Sequence, residues 1–73
     1  MRGLLESTGM ALYGPRWQAD LARDMGMSVR HMRRLVSGEA ALSDGMIVDL
    51  RRIAEERAAD LDEVIKRLLA GNQ

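Results

Sequence analysis

This chain has no cysteine and no phenylalanine, a single proline (Pro15) and a single histidine (His31). Without cysteine there are no disulfides and no thiolate metal ligands, and one histidine cannot build a zinc site alone. Nor is there an apolar run long enough for a signal peptide or a membrane-spanning helix, so no membrane partner is expected. Aromatic residues are confined to Tyr13 and Trp17. The core must therefore be assembled from Leu, Ile, Val, Met and Ala, as in small helical proteins.

Net charge is lacking too, with eleven basic residues against eleven acidic ones. Taken alone, that speaks against a nucleic-acid binder, whose affinity comes largely from neutralising phosphates. The distribution says otherwise. From Met1 to Gly38 six arginines face three acids, a surplus of three positive charges, and from Glu39 onward five bases face eight acids, a deficit of three. A basic half and an acidic half would orient such a protein on DNA and keep its far end off the phosphates.

What is present is one small domain, 1–73: 73 residues of which 47% are hydrophobic, a composition ordinary for a folded chain. A core this thin favours association with a second copy.

The most informative stretch is 18–38. Leu21, Ala22 and Met25 recur at helical spacing, and Gly26 then offers a residue that takes positive φ at a helix end without Cβ strain. Two residues on, Ser28 is placed to cap a new helix. Two helices joined so tightly cross steeply. The small side chain of Ala22 lets them approach, and Met32 and Leu35 are expected to fill the angle.

At about 100° per residue, Val29, Arg30, Arg33, Arg34 and Ser37 fall on the opposite side of that second helix from Met32 and Leu35. Any exposed helix face carries charge, so solubility alone is one explanation. Yet no acid lies three or four positions from any of the three arginines, and each like-charged pair costs about 0.2–0.5 kcal/mol. In the later segment, by contrast, Arg51 meets Glu55, Arg52 meets Glu56, Asp62 meets Lys66 and Glu63 meets Arg67, all four residues apart. An unbalanced arginine face makes sense if duplex DNA supplies the missing anions, and arginine also reads guanine bidentately in the major groove.

Gln18, Leu21, Ala22, Gly26, Ser28, Met32, Leu35 and Gly38 resemble the helix-turn-helix of lambda-repressor-like regulators of the Cro type. The likeness is specific over 18–38 and continues thinly through Leu50, Ile53 and Ala54. A proline common in that family's following loop is absent from Glu39–Leu42, a departure from the family's pattern ahead of the next helix. The resemblance implies a bacterial or phage-encoded, cytoplasmic DNA-binding transcriptional regulator, most often a repressor. It would act as a homodimer on an inverted-repeat operator, with self-regulation typical of phage and mobile-element relatives. It also implies that the start of the first motif helix, with Arg16, Trp17 and Gln18, faces a phosphate strand. The expected DNA-binding residues are Arg16, Trp17, Gln18, Ser28, Val29, Arg30, His31, Arg33, Arg34 and Ser37. Val29 would meet a thymine methyl, and Arg16, Gln18 and Ser28 would clamp backbone. Two roles stand for Trp17, a phosphate contact through its indole N–H or a plug between the first helix and the rest. Two stand for His31, a phosphate contact or the boundary of the core.

The expected fold is all-α, a small helix-turn-helix bundle of four to five helices with a long C-terminal helical segment. A first helix over Gly3–Tyr13 places Leu5 and Leu12 on one face with Gly9 between them, where the glycine either weakens the helix or admits a close neighbour. Gly14 and Pro15 end it. Ser43 and Asp44 offer caps for the last segment, 44–70, which carries core and dimerisation helices. Its stripe of Ile47, Leu50, Ala54, Arg57, Leu61, Val64 and Leu68 alternates steps of three and four, and only Arg57 spoils it. Met46–Ala54 is assigned to the chain's own core. Leu61, Val64, Ile65, Leu68 and Leu69 are assigned to a two-fold dimer interface, the alternative being that they fold back to close the monomer's core. Asp60 and Glu63 resemble a capping box, so a kink near Arg57 is one expectation.

No cofactor, metal or small-molecule ligand is expected, and the chain is not expected to be an enzyme. Its acids sit beside arginines on helices, with no cleft to shift their pKa values. The competing reading is a protein-interaction module in which the helix-turn-helix is scaffold and the long apolar helix docks a larger partner.

Overall fold

The computed structural model describes residues 3–71, which form four α-helices and, among the described residues, no strand. They are α1 (Leu4–Tyr13), α2 (Trp17–Met25), α3 (Val29–Ser37) and α4 (Asp44–Leu69). Helix count falls at the lower end of the expected range because the last segment is one helix of 26 residues. The expected kink near Arg57 is absent. No proline or glycine interrupts the segment after Gly45, and ion pairs between residues four apart run along both of its halves.

The ends follow the sequence signals. Ser43 caps α4, its hydroxyl oxygen accepting from the Met46 N–H at 3.1 Å. Ser28 caps α3 in the same way, accepting from the His31 N–H at 3.0 Å. Between α2 and α3 only Gly26, Met27 and Ser28 intervene. Gly26 sits at φ 71° in the left-handed region, and the flanking N–H groups close the helix end, Met27 to the Ala22 carbonyl at 2.9 Å and Gly26 to the Arg23 carbonyl at 3.1 Å. A side chain at Gly26 would pay for that φ with strain, so the sharp turn depends on this residue.

The core lies where all four helices meet and contains Leu5, Trp17, Leu21, Ala22, Met32, Leu35, Leu50 and Ile53. Each of its Leu, Ile and Met side chains contributes about 1.5–3 kcal/mol when fully withdrawn from water. Leu21 and Met32 are wholly buried; one belongs to each helix of the motif, and together they fix the crossing. Gly9 is buried because α1 lies directly on Trp17, and a Cβ at that position would overlap the indole ring. The close neighbour that Gly9 admits is thus a side chain.

Beyond Ile53, α4 leaves the bundle. Every residue from Ala58 to Gly71 is exposed, so Leu61–Leu69 does not fold back onto the chain's own core. The molecule is accordingly elongated, 48 by 25 by 23 Å.

Where α4 departs, Arg57 ties it to the rest. Its Nη1 donates to the Leu12 carbonyl at 3.3 Å, and its guanidinium carbon stands 5.2 Å from the centroid of the Tyr13 ring. The Tyr13 hydroxyl in turn donates to Asp24 Oδ2 at the end of α2. One cation thus links the C-terminal ends of α1 and α2 to the middle of α4. The residue that spoils the apolar stripe is a clasp.

Candidate nucleic-acid interface

α3 is held from beneath. Met32 and Leu35 anchor it in the core, the Ser28 cap fixes its first turn, and the opposite side faces solvent. Arg30, Arg33, Arg34 and Ser37 are all exposed there, and with Glu39 they line one shallow open concavity.

The arginines are not equivalent. Arg34 Nε lies 3.8 Å from Glu39 Oε2, a pairing five residues along the chain that the three-and-four rule does not detect. Both side chains are more than half exposed, so the pair is a loose tether worth about 0–1 kcal/mol. Arg30 and Arg33 enter no ion pair among the described residues, and neither does Arg16 just ahead of α2. Ser37 is engaged locally: its hydroxyl donates to the Arg34 carbonyl at 3.1 Å and accepts from the Glu39 N–H at 3.4 Å. It closes the helix end while remaining on the arginine face.

Two of the expected contact residues lean on the core, Trp17 in the second of its two expected roles. Trp17 is 3% exposed and packs on Gly9, so its indole is the plug between α1 and the rest rather than a free surface donor. Val29 is half-buried and packs against the core, because the first turn of α3 points back toward the bundle, and only part of it remains to touch a ligand. His31 is half-buried at the edge of the face, and Gln18 is half-buried on α2. Arg16 and Ser28 are exposed, though the Ser28 oxygen already accepts its helix's N–H.

The acids and cations of α4 are arranged differently. The four expected pairs are all present: Arg51 with Glu55 at 3.6 Å, Arg52 with Glu56 at 3.2 Å, Lys66 with Asp62 at 3.1 Å and Arg67 with Glu63 at 3.7 Å. Leu61, Val64, Ile65, Leu68 and Leu69 form one exposed stripe along the same half-helix.

Sequence reading missed the Tyr13, Asp24 and Arg57 cluster. Desolvation, reinforced by the hydrogen bond to Asp24, pushes the Tyr13 phenol up to about 12. A lone arginine inside an apolar repeat was the available signal. Among the described residues no three His, Cys, Asp or Glu side chains gather as a metal ion would need, and no helix is long and apolar enough to cross a membrane.

No protein-family model, curated protein or solved structure matches this chain.

Proposed function

We propose that this chain is a sequence-specific DNA-binding regulator, most simply a repressor, that presents α3 to the major groove and acts as a homodimer on an inverted-repeat operator. The observation that carries the reading is the pair Arg30 and Arg33: two exposed cations on a helix rigidly seated by Met32 and Leu35, with no acidic partner among the described residues. The cations Arg51, Arg52, Lys66 and Arg67 of α4, by contrast, each meet an acid on their own helix. Duplex DNA supplies phosphates for such a face and guanine edges for bidentate arginine contacts.

In this mechanism Arg30 and Arg33 make base or phosphate contacts, Arg34 joins them when released from Glu39, and Arg16, Gln18 and Ser28 hold backbone. The likeness of 18–38 to Cro-type regulators points the same way. Repression follows from occupying a promoter.

Selection of sites from a random duplex pool, followed by affinity for the winner against salt, tests the proposal. The expected result is a two-fold symmetric site with half-sites about one helical turn apart. A pool that yields no enriched sequence would transfer the function to the exposed stripe of α4, the feature that favours an interaction module.

A further inference from the structure

Past the bundle, α4 is an amphipathic helix whose apolar stripe is left uncovered by the rest of the described residues. Leu61, Val64, Ile65, Leu68 and Leu69 are 47–82% exposed, and the spacing of 61, 64 and 68 is that of a helix pairing with another helix. One edge of the stripe carries opposite charges a heptad apart, Asp60 immediately before Leu61 and Arg67 immediately before Leu68. Asp60 enters no ion pair among the described residues, and Arg67 holds Glu63 only through an exposed pair at 3.7 Å, worth about 0–1 kcal/mol and open to exchange for a partner across an interface.

We infer that the occupant of this stripe is a second copy of the chain lying antiparallel, in the register that sets Asp60 against Arg67 of the copy and Leu61 against its Val64. The two-fold axis then falls between Asp62 and Glu63, so each of these contacts occurs twice, as a self-complementary interface requires. Ile65 meets Ala58 of the copy on the other edge, apolar on apolar.

Charge selects this register against its neighbours. Sliding the copies by one heptad puts either Arg67 against Arg67 or Asp60 against Asp60. A parallel pair stacks Arg57 on Arg57 and leaves Asp60 opposite Ile65. In the antiparallel register Leu68 of the copy comes level with Arg57. The guanidinium there is already drawn aside to the Leu12 carbonyl and the Tyr13 ring, and the methylene stem is left for packing.

The register also fixes a length. Leu50, in the bundle core, stands twenty-five helical rises from its copy, about 38 Å along the helix direction.

The inference rests on the homodimer part of the proposed function and not on DNA binding, so its test is made without DNA, on the full chain. Asp60→Arg and Arg67→Asp each create two like-charged contacts per dimer. Alone, each variant is expected to dimerise about tenfold more weakly by analytical ultracentrifugation, and an equimolar mixture to recover wild-type association as a heterodimer. Circular dichroism checks that the bundle is intact. Because the chain has no cysteine, introduced thiols report orientation cleanly. Leu61→Cys mixed with Val64→Cys should oxidise to a covalent heterodimer. Leu68→Cys alone should not link, its two copies lying about 16 Å apart against a disulfide reach of about 7 Å between Cα atoms. Self-linking through Leu68→Cys would mean a parallel pair, unchanged dimerisation of both charge variants would mean a different register, and a wild-type chain that stays monomeric would mean a different occupant. Any of the three overturns the inference.

Discussion

α3 and α4 both turn charge to water, and they handle it in opposite ways. Along α4 the cations Arg51, Arg52, Lys66 and Arg67 each reach an acid four residues away at 3.1–3.7 Å. Along α3, Arg30 and Arg33 reach none among the described residues, and Arg34 has only a loose partner beyond the helix end. Charge that closes on its own helix solubilises. Charge left open on a seated helix is, on the proposed function, what an anionic partner would meet. Arg57 is a third case, a cation of α4 that leaves its helix to clasp Leu12 and Tyr13, and it shows that this chain spends arginine on structure where a neighbour is within reach.

The heaviest blow to this contrast is to remove what seats α3. Met32→Ala should cost about 2–5 kcal/mol, the usual toll of hollowing a packed core, read as an earlier midpoint in urea unfolding, with DNA binding lost alongside the fold. Next in size is the face itself. On the proposed function, Arg30→Ala or Arg33→Ala should weaken binding to the selected operator by about 1–3 kcal/mol if the residue reads a base, or lower the salt slope by about 1 if it meets a phosphate. Helicity should be unchanged, and fluorescence anisotropy across a salt series separates the two cases.

The clasp adds a pH dependence. The Tyr13 phenol is raised from 10.0 to about 12 in the folded chain, so between those values the unfolded chain has lost a proton that the folded chain retains. Stability should be level below pH 10 and fall as pH rises from 10 toward 12. Tyr13→Phe, lacking the proton, should be less sensitive over the same range in thermal melts followed by circular dichroism. The smallest effect is expected on the balanced side: Lys66→Ala should cost no more than about 0.5 kcal/mol and leave operator affinity where it was.

What was legible in the sequence was mostly local. Gly26 and Ser28 announce the turn because the φ of a helix end and the reach of a capping hydroxyl are decided within a few residues. The four ion pairs of α4 are readable because helical geometry alone brings residues four apart together. What the sequence left open or hid lies where a contact joins separate elements. Trp17 belongs to the core because Gly9, eight residues earlier, makes a slot for its ring. Arg57 is an irregularity in the sequence, and its reason is in α1, a carbonyl forty-five residues away and the ring next to it. Val29 was placed by angle on the open face, yet the bundle claims part of it. Arg34 and Glu39 meet around a helix end, where periodicity stops being a guide.

The unbroken run of α4 from Asp44 to Leu69 makes phase a property of this molecule. Because a single rigid screw joins the bundle to the exposed stripe, one residue inserted after Ala59 would swing Leu61–Leu69 round by about 100° while advancing it only about 1.5 Å. Seven inserted residues would bring the stripe back to within about 20° of its original bearing and push it about 10 Å outward. A change in the length of this shaft therefore alters bearing and reach separately, and a whole heptad restores the first while lengthening the second.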